Sequence, residues 1–259
     1  MRRCTAGYLM WTGYKPMKNK LDVHVAAYKG ENLYDFDNEI LLTWYPQRIA
    51  MRCKGASSIL ELGLGHGFTA SIFSDRFDRH VVLEGSPAVI QNFKAKFPQC
   101  NAQIVETYFE TFDTEEKFDV IVMGFVLEHV DDPLGIITRY KRFLSPTGTF
   151  FLAVPNAEVL NRRLGHVAGM LEDVTTLSEN DLLQGHKRYY TVASLTAQIT
   201  QAGYKIDRME GIYLKPFTTS QIISLNLDKR IISALCEVGV DYPELCCGIL
   251  AQISASETV

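Results

Sequence analysis

The spacing of apolar residues changes character several times along the chain. Ile40, Leu41, Leu42, Ile49 and Met51 recur at helical intervals behind Asp37, and aspartates there can cap a helix start, so an amphipathic helix is predicted ahead of the first strand. The first twenty residues carry Gly and Lys without a period and read as an irregular lead-in. From residue 58 short β-rich runs alternate with helical stretches. Strands are predicted over 58–62, 80–84, 102–105, 118–123 and 149–154, with helices over 68–77, 87–97 and 133–144. Residues 157–190 interrupt the rhythm and read as short helices. A helix then opens at 191–195 and ends at Gly203, where glycine suits a left-handed C-terminal position. Strands at 204–214 and 247–254 flank a second insertion, 215–245. Strand–helix–strand repeats of this length imply right-handed crossovers, so the fold class is α/β, a doubly wound and mostly parallel seven-stranded sheet with helical cap insertions.

Composition narrows the class without changing it. The 259 residues are 47% hydrophobic and 22% charged, which excludes disorder and fibrous rods. A single domain over 1–259 is expected, with a lead-in and lid helix in 1–50, a cap insertion at 157–190 and a second insertion at 215–245. Lys and Arg number 26 against 30 Asp and Glu, a net charge of −4, and the basic residues are scattered, so nucleic acid is not an expected partner. Cys4, Cys53, Cys100, Cys236, Cys246 and Cys247 show no zinc-type spacing; reduced thiols and no metal site are expected. No apolar run approaches the ~20 residues of a membrane span, and the stretch after Arg2 and Arg3 is too short for an export signal, so neither membrane nor export is expected and the location is read as cytoplasmic. Ile222, Ile223, Leu225, Leu227, Ile231, Ile232 and Leu235 offer a surface for a homodimer.

The densest chemistry lies in Ile59-Leu60-Glu61-Leu62-Gly63-Leu64-Gly65-His66-Gly67-Phe68-Thr69. An apolar strand running into Gly-x-Gly-x-Gly and then a helix lets backbone approach a ligand where any Cβ would collide. The dinucleotide pattern needs its third glycine at 68, which is Phe68, so nicotinamide is disfavoured. Glu84 closes the second strand, where a carboxylate can accept hydrogen bonds from both ribose hydroxyls of a nucleoside.

These residues, with Leu83-Glu84-Gly85-Ser86, Phe118 to Met123, Val126 to Pro133 and Phe143 to Gly148 before Val154-Pro155-Asn156, resemble the class I S-adenosylmethionine-dependent methyltransferases from about Leu33 onward. The resemblance implies the Rossmann-like methyltransferase fold, S-adenosyl-L-methionine as cofactor and S-adenosyl-L-homocysteine as its product. It assigns Glu61, Gly63, Gly65 and Glu84 to the cofactor; Leu64, Gly85, Ser86 and Gly124 beside them are read as cofactor contacts too, and Tyr108 or Phe109 can supply an apolar wall for adenine. Two departures stand out. Thr107 replaces the acid usual near the third strand end, and Ser145-Pro146-Thr147-Gly148 replaces a Pro-Gly-Gly turn while keeping its last glycine.

A sulfonium methyl needs alignment with its acceptor more than it needs a base. Bases are sought among His129, His166 and His186. The stretch Gly185-His186-Lys187-Arg188-Tyr189-Tyr190-Thr191 resembles Gly-His-x-Arg-x-Tyr-Thr of a small-molecule subgroup, which makes His186 and Arg188 catalytic candidates beside His129, and Tyr189 a substrate contact. The alternative for this stretch is a helix-start network capped by Thr191. Tyr28, Phe125 and Arg162 join Tyr189 as substrate contacts, with Arg163 beside Arg162 able to bind carboxylate or phosphate, and Tyr28, Tyr34 and Phe36 can close the cofactor pocket from the other side. The expected function is methyl transfer to a small-molecule acceptor at O or N, of sugar or secondary-metabolite type. Transfer to a protein or peptide, and a catalytically silent binding subunit, stand beside it as alternatives.

Overall fold

The computed structural model describes residues 19–22 and 32–255. Seven strands form one sheet: β1 Ser58–Leu62, β2 Arg79–Glu84, β3 Gln103–Glu106, β4 Phe118–Gly124, β5 Leu144–Pro155, β6 Tyr204–Leu214 and β7 Cys246–Ala255. Their order is β3-β2-β1-β4-β5-β7-β6, parallel as far as β5, with β7 antiparallel between β5 and β6. Both faces of the sheet are covered, so successive buried residues serve opposite cores. Leu60, Leu62, Ile121, Met123, Phe150 and Leu152 pack into one. Ile59, Val120, Val122, Phe151 and Ala153 pack into the other. The chain leaves β1 toward β2 on one side and returns through β4 on the other, which opens a crevice at the carboxyl ends of β1 and β4, where such sheets bind ligands.

Helices α1 Asp35–Arg52, α2 Phe68–Ser74, α3 Pro87–Lys96 and α4 Pro133–Tyr140 precede or link the parallel strands. The cap insertion folds as α5 Leu160–Val167 and α6 Glu179–Leu183. Helix α7 Val192–Gln201 follows, capped at Thr191 by exchange with Ser194, and Gly203 beyond it takes a left-handed φ of +76°. The second insertion supplies α8 Thr219–Ser224 and α9 Lys229–Gly239.

Three expectations need correction. The aspartates do not cap α1: its N-cap is Tyr34 with no side-chain bond, Asp35 accepts from the Asn32 backbone N–H, and Asp37 lies buried inside the helix. The helix read over 133–144 stops at Tyr140, because a 3₁₀ turn at Lys141–Phe143 leads straight into β5, whose Leu144 already pairs with Phe118. The turn around Gly148 therefore lies within β5, at a register shift opposite Phe118 and Val120. The apolar face of 215–245 is partly spent inside the fold. Ile222 is buried and Leu227, Ile232 and Leu235 pack on the core, which leaves Ile223, Leu225 and Ile231 exposed.

Helix α1 is tied across the sheet edge by Glu210 of β6, 1% exposed and bound by Arg48 at 2.8 Å, by Arg208 at 2.8 Å and by Arg52. A buried carboxylate with several guanidinium partners is a strong anchor for a helix. Among the described residues no helix is long and apolar enough to cross a membrane.

Candidate active site

A cavity of about 1520 Å³ opens over the carboxyl ends of β1, β2 and β4. Its floor is the turn after β1. Gly63, Gly65 and Gly67 take φ of +84°, +47° and +82°, a conformation that costs any residue with a Cβ. At Gly67 a Cβ would also sit 2.5 Å from the Phe93 ring and 2.7 Å from that of Phe97. Gly67→Ala is therefore expected to cost about 2 kcal/mol, from overpacking added to a disfavoured φ. Urea unfolding measures it, and a loss of only a few tenths would contradict this reading of the turn.

Glu84 binds the turn to the end of β2. Its carboxylate accepts from the Leu64 N–H at 3.1 Å and from the Ser86 N–H at 2.8 Å. Burial raises its pKa, against the lowering effect of the Ser86, Leu64 and Gly85 N–H groups. Ser86 caps α3 by accepting from Val89, and its hydroxyl donates to Asp22 at 2.6 Å. Asn19 donates to the Gly85 carbonyl at 2.7 Å and accepts from the Tyr108 hydroxyl at 3.2 Å, so segment 19–22 is clasped over this end. Tyr108 and Phe109 both line the cavity, as does Thr107, whose backbone N–H donates to the Glu84 carbonyl at 3.0 Å.

Glu61 stands apart from the other residues assigned to the cofactor. It is 2% exposed, accepts from Thr69 and lies 2.9 Å from His80 Nε2, and it does not line the cavity. Its place corrects a wall residue to a buried brace that fixes β1 to α2. Gly124 and Phe125, at the end of β4, do line the cavity. A side chain at Gly124 would run into the Tyr45 hydroxyl, and Phe125 holds a left-handed φ of +57° and meets the Tyr45 ring edge to face at 5.8 Å.

The opposite wall comes from the loop after β4 and the two insertions. His129 and His186 meet edge to face with ring centroids 4.8 Å apart. Asp181 Oδ1 lies 3.2 Å from His186 Nδ1, while Asp181 Oδ2 accepts from the Ser178 N–H at 2.7 Å and the Tyr189 hydroxyl at 2.6 Å, so this carboxylate is held well below its ordinary range. Burial pulls His186 down, yet Asp181 and Glu128 outweigh it and leave its pKa raised.

Arg188 departs from expectation. Its Nη1 donates to the Leu127 carbonyl at 2.8 Å and the Val130 carbonyl at 2.6 Å, and it is absent from the cavity lining. A guanidinium committed to two carbonyls positions the His129 loop and is not a catalytic group. Arg162 does line the cavity, but it donates to the Val174 and Thr176 carbonyls and stacks on Tyr189 at 4.8 Å, which makes it a strut of the cap. Arg163 pairs with Glu158, and His166 is exposed on α5 with Nδ1 against the Leu171 carbonyl. Tyr34 lines the cavity and Phe36 packs on the core. Tyr28 lies outside the described residues.

Two features escaped the sequence. Glu128 is fully buried with neither carboxylate oxygen hydrogen-bonded, and burial, opposed by His186 and Arg188, pushes its pKa up to about 7. The signal was there, an acid beside His129 just past a strand end. Asp37, Lys215 and Thr219 form a buried trio on the cavity wall, with Lys215 Nζ 2.5 Å from Asp37 Oδ2 and 2.8 Å from Thr219 Oγ1. No local pattern announces a pair 178 residues apart.

Comparison with known proteins agrees with this geometry. A family model described as a methyltransferase domain matches residues 39–208, well over half of the chain. This chain belongs to the class I S-adenosylmethionine-dependent methyltransferases. A probable S-adenosylmethionine-dependent methyltransferase from Mycolicibacterium smegmatis is 26% identical over 167 residues, 64% of this chain and 59% of that protein. A ubiquinone biosynthesis O-methyltransferase from Haemophilus ducreyi is 31% identical over 103 residues, 40% of this chain and 42% of that protein. The methyltransferase thus spans only about half the length of these two relatives. In fold it is similar to the N-methyltransferase NodS from Bradyrhizobium japonicum, solved with S-adenosyl-L-homocysteine, with a TM-score of 0.58 at 13% identity over 93% of this chain and 100% of that one.

The residues present fit the family's methyl donor. Gly63, Gly65 and Gly67 line the cavity in left-handed conformations that glycine adopts readily, and Glu84 is an acceptor-only carboxylate beside them with lone pairs left after its two backbone bonds.

Proposed function

We propose that this methyltransferase carries a methyl group from S-adenosyl-L-methionine to a hydroxyl or amine of a small molecule bound beneath its two insertions. The observation that carries this reading is the cavity. At about 1520 Å³ it exceeds the ~300–1,000 Å³ usual for one ligand, so it has room for a nucleoside cofactor and a second molecule together. Val159, Asn161 and Arg162 from the first insertion and Lys215, Thr218 and Thr219 from the second line it together with Glu84. A deep cavity roofed in part by both insertions suits a metabolite better than an extended peptide. The hydroxyl-directed name of the Haemophilus relative supports oxygen as the acceptor atom.

S-adenosyl-L-methionine, when bound, would supply a methyl already activated by its sulfonium sulfur for in-line attack by an acceptor lone pair, with the thioether as leaving group. The chain's part is alignment, where effective molarity contributes ~7–11 kcal/mol. Glu84 and the Leu64 and Gly85 backbone would hold the sugar end, and the glycine turn would hold the amino-acid tail. On the far side the His129–His186 pair, with Asp181 behind His186, can receive the acceptor's proton.

The test is to incubate the purified chain with methyl-labelled S-adenosyl-L-methionine and a cell extract, then separate small molecules from macromolecules. Label in the small-molecule fraction that depends on the protein is expected. Label confined to protein would favour peptide transfer, and none in either fraction would favour a silent subunit; both contradict the proposal.

A further inference from the structure

We propose that Asp37, Lys215 and Asn161 form a hydroxyl-binding subsite on the cavity wall, so that the methyl acceptor is a polyhydroxylated molecule anchored there by neighbouring hydroxyls other than the atom methylated. All three residues line the cavity. Lys215 Nζ lies 2.5 Å from Asp37 Oδ2 and 2.8 Å from Thr219 Oγ1, and Thr219 donates its own proton to the same Asp37 oxygen. That oxygen and Thr219 are satisfied. Asp37 Oδ1 is not: it belongs to a residue 4% exposed and finds no donor among the described residues. Asn161 Oδ1 is orphaned in the same way, and the Asn161 backbone N–H donates to the Lys215 carbonyl at 3.1 Å, so both orphans belong to residues bonded to one lysine. Buried acceptors are ordinarily paired, and two left over on a cavity wall call for a partner that the chain does not itself supply.

The backbone leading to Lys215 points the same way. Tyr213 holds a φ of +61° between Ile212 and Leu214, which pair with Gly248 and Cys246. A left-handed conformation is unfavourable for an aromatic residue, and strain of this kind persists where the surroundings enforce it, commonly at ligand sites. The Tyr213 hydroxyl is a third buried group with no partner among the described residues, and burial with Asp37 nearby raises its pKa, so it stays a neutral phenol. Cys247 also lines the cavity and feels the charges of Lys215, Asp37 and Asp181 together. The subsite therefore shares a compartment with the wall that holds Asp181 and His186.

The chemistry of these groups selects the ligand. An ammonium has three donors and no acceptor, and among the described residues Lys215 spends two of them, on Asp37 and Thr219. One donor is left beside two unpaired acceptors. A carboxylate would satisfy the lysine and meet the Asp37 and Asn161 oxygens, which repel it. A substrate ammonium would satisfy those oxygens and meet the lysine. A hydroxyl both accepts and donates, so it alone fits both signs, and two orphaned acceptors ask for more than one. The identity of the methylated substrate rests on the methyl-transfer reading, whereas binding of hydroxyls at this wall does not.

Four fragments on one ring test the subsite: a cyclohexane vicinal diol, cyclohexanol, cyclohexylamine and cyclohexanecarboxylate. Each is titrated by ligand-observed magnetic resonance into the full chain, with and without saturating S-adenosyl-L-homocysteine. Saturable binding of the diol is expected, with cyclohexanol weaker by about tenfold, the loss of one hydrogen bond to a charged group, and the amine and carboxylate no better than cyclohexanol. Asn161→Ala should weaken the diol by a similar factor, and Asp37→Leu combined with Lys215→Met should remove its advantage over cyclohexanol. Circular dichroism melts show which variants fold, and Asn161→Ala, which deletes an oxygen that holds no partner, carries the test if the double variant does not. No saturable diol binding, equal binding of the four fragments, or unchanged diol binding in the folded variants overturns the proposal. Calorimetry with S-adenosyl-L-homocysteine keeps the two readings apart. Nucleoside binding without diol binding sinks the hydroxyl subsite alone, and diol binding without nucleoside binding sinks the methyl-transfer reading while the subsite stands.

Discussion

Replacing Lys215 with methionine is expected to lower the stability of the fold by about 3–5 kcal/mol, the range for removing one partner of a buried ion pair. The ammonium and the Asp37 carboxylate are 8% and 6% exposed, and Thr219 completes the set by donating to the same Asp37 oxygen that Lys215 meets. Methionine keeps the length of the side chain and removes the charge, so the loss falls on Asp37, whose Oδ1 is already without a donor. For a chain of this size the thermal midpoint should fall by roughly 10 °C. The double variant Asp37→Leu with Lys215→Met should recover most of the loss, because two apolar groups leave no orphaned charge. The pair joins α1 to the start of the second insertion at the cavity wall, so the single variant should also open both segments to proteolysis. A change below 1 kcal/mol would mean the pair is solvated and does not hold the lid.

Glu84→Ala is expected to weaken S-adenosyl-L-homocysteine binding about 100-fold, read by titration calorimetry. Hydrogen bonds to an ionised group contribute about 1.5–3 kcal/mol each, and each 1.4 kcal/mol is a factor of ten in affinity. The variant removes the proposed acceptor for the ribose hydroxyls and also frees the Leu64 and Ser86 N–H groups that now point at the carboxylate. Glu84→Gln retains one acceptor oxygen and should fall between the two. A thermal melt separates loss of the ligand contact from loss of the turn.

Much of the frame could be read from the chain because parallel strands buried on both faces advertise themselves as short apolar runs. Ile59 to Leu62 and Val120 to Met123 are of this kind, and the glycine turn with Glu84 follows from spacing alone. The cap was harder. Arg188 reads as a substrate grip until its partners are seen to be the Leu127 and Val130 carbonyls, because a sequence does not say which way a long flexible side chain turns. Glu61 belongs to the turn's motif, yet the alternation of β1 sends its carboxylate to Thr69 and His80. Glu128 stayed hidden for the opposite reason: acids beside histidines are common at strand ends, and only burial shows that this one has no donor. Contacts such as Lys215 with Asp37 depend on how the insertions fold back over the sheet, which local periodicity does not determine.

The most direct measurement is a crystal structure of the chain grown with S-adenosyl-L-homocysteine. The nucleoside should lie along the turn from Gly63 to Gly67, its ribose hydroxyls bonded to Glu84 and its sulfur turned toward the chamber walled by His129, His186 and the two insertions. Nucleoside bound elsewhere, or bound with Glu84 still engaged only by the backbone of Leu64 and Ser86, would contradict the account.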